Sequence, residues 1–136
     1  MTESAARRIV ERAYEAFRQR DAETLVSISD PEIEISSVTG IIAGHEKPYT
    51  GTAALSQYLA DVAEIWDEIE LVPQEFHELG DERLLVFGRT RARRGKARID
   101  VPNAWIWQLR GERIVSVSVY AEPSADAEWL FDRKKP

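Results

Sequence analysis

One hundred and thirty-six residues, 43% of them apolar and 31% charged, suffice for one domain with its own core and leave no room for a second. With no Cys and two His, disulfide frameworks, thiolate metal sites and thiol nucleophiles are excluded, a His-rich metal centre is disfavoured, and no cofactor is expected. A net charge of −6 is a poor match for nucleic acid, and no apolar run approaches the ~20 residues that span a bilayer.

The opening MTESAARR lacks the apolar stretch of a secretory signal, so a cytoplasmic domain filling 1–136, frayed at 1–4 and 132–136, is expected. From Ala5 to Arg20, apolar side chains at Ala6, Val10, Ala13 and Phe17, with Ile9 and Tyr14 beside them, make one helical stripe. Asp21 stands where a cap belongs, and a short second helix over AETLVSI ends before Asp30-Pro31, because the residue preceding proline disfavours helical backbone.

Residues 32–36, EIEIS, alternate as a half-buried strand, with Ile33, Ile35 and Ser37 on one face. The Gly-rich stretch that follows reads as a loop with room for a short strand. Thr52 is placed to cap a third helix whose stripe is Leu55, Tyr58, Leu59, Val62, Ile65 and Trp66.

Beyond it come consecutive hairpins: strands over 70–79, 83–93, 97–110 and 113–121, with turns at Gly80-Asp81, Arg94-Gly95-Lys96 and Gly111-Glu112. A helical turn or two is expected within 124–131. Helices followed by an antiparallel meander predict an α+β fold, with the helices on one face of a single sheet.

This order, together with RAYEAFRQRD at 12–21, SDPEIEISS at 29–37, PYTGTAAL at 48–55, LGDERLLVFGR at 79–89, AWIWQLRGERI at 104–114 and VYAE at 119–122, resembles the SnoaL-like branch of the nuclear transport factor 2-like superfamily over nearly the whole chain. The resemblance implies a cone-shaped half-barrel, a curved antiparallel sheet wrapped around three N-terminal helices, with an apolar pocket and often a homodimer. It implies no single activity, since the fold hosts isomerases, cyclases, hydrolases, dehydratases and binders.

Carried over residue by residue, the resemblance puts Ser37 where ketosteroid isomerase has its base, Trp105 where it has a protonated Asp, and Ala13 where it has an oxyanion-holding Tyr. At the position of the water-activating Asp of limonene epoxide hydrolase stands Val119. A cyclase of SnoaL type needs a pocket carboxylate, and strand alternation puts none on the inward face.

Alternation turns Asn103, Trp105, Trp107 and Leu109 inward, with Val115, Val117, Val119 and Ala121. The candidate ligand-pocket residues are therefore Tyr14, Ser37, Tyr49, Tyr58, Asn103, Trp105, Trp107 and Val119. The tyrosines offer phenols to a ligand carbonyl or simply pack with the hydroxyl at a rim; the two tryptophans stack on a flat ligand or fill the cavity. Trp66 and Trp129, near element ends, fit a dimer contact. His45 suits a mobile acid or base at the mouth, or a solvated loop, and His77 reads as surface.

Asp100 falls on the outward parity of Ala104 and Ile106 unless a bulge near Pro102 reverses it, and a bulge at Gly88 would turn one Arg inward and favour a carboxylate-bearing ligand. RTRARRGKAR at 89–98 holds six basic residues, with Arg89, Arg91 and Arg93 on one face; it reads as a solvated, aggregation-guarding sheet edge or as an anion site. The expected function is binding or processing of a small, largely apolar or aromatic molecule, with catalysis left open. The alternative is a non-catalytic dimeric module that recruits a protein through its outer sheet face.

Overall fold

A computed structural model of the chain describes residues 4–37, 48–80 and 82–120. Helices α1 (Ala5–Arg18), α2 (Ala22–Ser27) and α3 (Ala53–Ile65) accompany strands β1 (Ser29–Ser36), β2 (Tyr49–Thr50), β3 (Glu68–Glu78), β4 (Arg83–Arg94), β5 (Ala97–Arg110) and β6 (Arg113–Tyr120). Asp81, His45, Ala121, Trp129 and the helical turn expected within 124–131 lie outside the described residues.

The helix ends follow local chemistry. Ser4 accepts from the Arg7 N–H at 3.1 Å and Asp21 from the Thr24 N–H at 3.0 Å, satisfying donors that the first turn leaves unpaired. Thr52 occupies the cap position of α3, but its side chain makes no capping bond. The turn into α3 is instead fastened to β1 through Gly51 N–H to Ile33 O at 2.7 Å and Thr52 N–H to Pro31 O at 3.3 Å.

One six-stranded sheet runs in the order β2-β1-β6-β5-β4-β3. β3 to β6 form the expected antiparallel meander, and β1 joins it parallel to β6 while carrying β2 antiparallel on its other edge. The sheet curves around the helices without closing, a cone-shaped half-barrel. Besides the register shift between Ser29 and Glu34 of β1 against β6, two single-residue irregularities bend it, since an extra residue on one strand increases local twist. Gln74 is unpaired between Pro73↔Gly88 and Glu75↔Phe87, and Val115 is unpaired between Leu109↔Ile114 and Gln108↔Ser116.

The second bulge corrects one parity assignment. Ile114, not Val115, takes the inward place opposite Leu109 and is almost fully buried, whereas Val115 is only half-buried. Val117 and Val119 keep their inward side because pairing resumes in step beyond the bulge. Between β4 and β5 there is no shift from Arg83 to Arg94, so Asp100 stays outward and Asn103 inward. The core lies between the concave face and the helices: Val10, Tyr14 and Phe17 of α1 and Leu55, Leu59 and Val62 of α3 meet Val86, Trp105 and Trp107.

Candidate ligand site

β5 descends the concave face with every second side chain turned inward, and α1 and α3 stand across from it. Between them lie two lobes of a cavity, about 60 Å³ deep in the cone and about 130 Å³ nearer its mouth. Ser37, Tyr58, Leu71, Trp105 and Val119 line both. Tyr14 and Trp107 belong to the inner lobe, Asn103 and Thr90 to the outer.

Aromatic packing sets the inner wall. The Tyr14 ring meets Trp105 at 5.3 Å and Trp107 at 5.2 Å edge-on, and Phe76 at 6.5 Å. Such pairs add about 0.5–1.5 kcal/mol beyond the area they bury. Trp107 Nε1–H donates to the Tyr14 hydroxyl at 3.2 Å, giving the indole a partner where water has little access. Burial pushes the Tyr14 phenol well above its ordinary pKa, against a smaller opposite pull from the Trp107 bond.

Where the lobes meet stands Tyr58, held by a hydrogen bond with Ser37 and packed against Phe17 at 6.1 Å and Tyr49 at 5.3 Å. Burial pushes its phenol up to about 12, with the Ser37 bond and the nearby Arg20 guanidinium pulling the other way. Arg20, at a left-handed φ of 56° after α1, lies over Phe17 and donates to the carbonyls of Phe17 and Ile69. It lines neither lobe.

In the outer lobe, Asn103 is 2% exposed and its Oδ1 accepts from the Thr90 hydroxyl at 3.1 Å. Among the described residues nothing accepts from its Nδ2. The Nδ2 donor is not sealed off: it reaches space that water or a ligand can enter, and a ligand lacking an acceptor would leave it unpaired. The rim beyond is apolar: Ile99 and Val101 are each 37% exposed, facing Ile69, Leu71 and Trp66.

Of the eight candidate ligand-pocket residues, Tyr49 alone lines neither lobe. Its hydroxyl donates to Asp61 Oδ2 at 2.5 Å, and Gln57 donates to Asp61 Oδ1 at 2.7 Å. Burial, then the bond to Asp61, raises the Tyr49 phenol pKa. Asp61 is a buried carboxylate that strand alternation could not reveal because a helix supplies it. The signal was its place three residues after Tyr58 and four before Ile65, on the apolar stripe. Asp61 faces Tyr49 and Gln57 and lines neither lobe.

Trp66, at the end of α3, packs partly buried against the core and lines the outer lobe. The β3 contributors Ile69 and Leu71 were also passed over, although they alternate with Glu68 and Glu70. The arginine ladder points away from the cavity. Arg89 pairs with Asp100 at 2.7 Å, Arg91 with Asp100 at 3.4 Å, and Arg93 with Glu68 at 2.9 Å and Asp67 at 3.2 Å, all on the exposed outer face. An anion would have to displace these acids, which favours a solvated face over an anion site. The expected sheet edge is corrected: β4 is paired with β3 on one side and β5 on the other, so the ladder crosses the face of the sheet.

Among the described residues, no cluster of three or more His, Asp or Glu could hold a metal, and no helix is long and apolar enough to cross a membrane. Residues 10–117 match the family model for the SnoaL-like domain. No curated protein sequence matches the chain. Among solved structures, the chain is similar to an NTF2-like protein of unknown function from Burkholderia pseudomallei (22% identity, 95% of this chain and 98% of that one, TM-score 0.78). It is also similar to TerC co-crystallised with polyporic acid (24% identity, 93% and 98%, TM-score 0.77). A hypothetical protein of ketosteroid isomerase-like fold from Catenulispora acidiphila, in complex with trimethylamine, is similar at 16% identity (86% and 87%, TM-score 0.70). At these identities the likeness concerns the fold.

Proposed function

This chain belongs to the SnoaL-like domain family, and from that premise we propose that it binds a small, largely apolar molecule in the two-lobed cavity of its cone. The observation that carries the reading is the lining. Hydrocarbon and aromatic walls surround a few neutral polar groups, Asn103 and the Ser37–Tyr58 pair, the pattern of a site that orients rather than charges its ligand. Similar folds hold polyporic acid and trimethylamine, which supports a small-molecule occupant.

The groups that the described lining supplies are neutral donors, suited to confinement and to polarisation of a carbonyl. Native mass spectrometry of the chain, as isolated and after incubation with alkylphenols, should show one ligand per chain. Leu71→Arg, which sets a charge into the wall shared by both lobes, should abolish the adduct. A folded Leu71→Arg chain that keeps its ligand, or a wild-type chain that takes none, overturns the reading.

We also propose that the chain pairs with a second copy through its outer sheet face. Leu85 and Ala104 are fully buried there among Leu79, Phe87, Ile106 and Tyr120, beside the mixed-sign ladder of Arg89, Arg91 and Asp100. What this face exposes is the mixed-sign ladder, which can meet its own copy across a two-fold axis beside the half-buried Ile106. Sedimentation equilibrium should give a dimer that Ile106→Glu converts to a monomer. A wild-type monomer would move this face to recruitment of a different protein.

A further inference from the structure

We propose that the cone selects an uncharged, single-ring molecule with a hydrogen-bond acceptor at one end and a short alkyl group at the other. The inference rests on the binding site proposed above and specifies its ligand class. Three observations converge on it.

The first is size. The outer lobe, about 130 Å³, is close to the roughly 150 Å³ that accommodates a benzene ring in a protein interior. The inner lobe, about 60 Å³, has the volume of about two non-hydrogen atoms at roughly 30 Å³ each. Ser37, Tyr58, Leu71, Trp105 and Val119 all line both lobes, and Trp105 is packed edge-on against Tyr14, so the passage between the lobes is walled on several sides and the small inner lobe beyond it has no room for a fused second ring. Ring and alkyl group fill the two lobes, so the acceptor end extends toward the rim at the half-exposed Ile99 and Val101, where a small polar group can meet water but a second ring would leave apolar surface exposed.

The second is polarity at the outer end. Thr90 occupies Asn103 Oδ1 and so fixes the amide plane, leaving Nδ2 as a donor inside a residue that is 98% buried by its 2% exposure. A carbonyl or ether oxygen on the ligand meets that donor, whereas a hydrocarbon leaves it unpaired. The third is charge. Neither lobe is lined by an acidic or basic side chain among the described residues, and the nearby guanidinium of Arg20 is turned onto Phe17 and two backbone carbonyls. A carboxylate brought into this lining would be desolvated without a counter-ion.

The test is a matched series measured by isothermal titration calorimetry: 4-ethylacetophenone, 1,4-diethylbenzene, 4-ethylbenzoate and 2-acetyl-6-ethylnaphthalene. 4-Ethylacetophenone should bind the wild-type chain about tenfold more tightly than 1,4-diethylbenzene, the fold-change of one hydrogen bond to a buried donor. 4-Ethylbenzoate and the naphthalene should bind at least about tenfold more weakly than 4-ethylacetophenone. Asn103→Leu should erase the preference for ketone over hydrocarbon while retaining the hydrocarbon, and Trp105→Ala should admit the naphthalene. The wild-type comparison stands whether or not either variant folds. Equal binding of ketone and hydrocarbon, or a naphthalene bound as tightly as the single ring, overturns the selectivity and leaves the pocket intact. Failure of the wild-type chain to bind any of the four overturns the selectivity and the proposed site together.

Discussion

Gly88→Ala should be among the most damaging single-methyl additions to this chain. Gly88 pairs with Pro73 on one side and Asn103 on the other, beside the Gln74 bulge that bends β3. A Cβ there would lie 2.1 Å from the Val72 carbonyl oxygen and 3.0 Å from Pro73 Cα. The first distance is roughly 1 Å or more inside ordinary contact, and both neighbours are backbone, so no rotamer change relieves it. β3 must shift, at a cost of about 2–4 kcal/mol, the upper part of the range for forced overpacking. With a urea m-value of about 1.5 kcal/mol/M, the unfolding midpoint falls by roughly 1.3–2.7 M.

Urea titrations followed by far-ultraviolet circular dichroism provide the assay, with Gly95→Ala as control. Gly95 has φ +62° and nothing within 4 Å of an added Cβ, so its cost is conformational, about 1–2 kcal/mol. A Gly88→Ala chain no less stable than Gly95→Ala would refute the argument that close backbone approach dictates glycine here. Because the same stretch of β4 carries Thr90, the Gly88 variant should also weaken ligand binding in the outer lobe.

Tyr14→Phe removes the acceptor of the Trp107 indole N–H and should cost about 1–3 kcal/mol while leaving the circular dichroism spectrum unchanged; a loss below about 0.5 kcal/mol would mean the indole finds another partner. Asp30 accepts from the Glu32 N–H at 2.9 Å and from Arg110 at 2.8 Å, which together hold its carboxyl below the usual carboxylate pKa. A depressed folded-state pKa contributes stability above the unfolded value near 3.9, and that contribution disappears as pH falls through the folded value. Thermal melts from about pH 6 down to about pH 2 should therefore show a shallower acid-side decline for Asp30→Asn than for the wild type, and parallel declines would count against the pairing.

Much of the architecture was legible in local chemistry. The stripe from Ala6 to Phe17, the Asp21 cap, the Asp30-Pro31 break and the glycine turns each act within a few residues, so the chain order specifies helices and hairpins directly. Strand parity likewise turned Asn103, Trp105 and Trp107 inward, because side chains alternate wherever pairing is regular. Tertiary structure decided what depends on distant neighbours: Ile114 replacing Val115 across a bulge, Asp61 buried beneath Tyr49, Trp66 turned to the outer lobe, and the arginine ladder neutralised by acids on adjacent strands. The division of the cavity at Trp105 belongs to the same class, since its two volumes depend on how α1, α3 and β3 close over β5, a sum of packing distances that no local pattern contains.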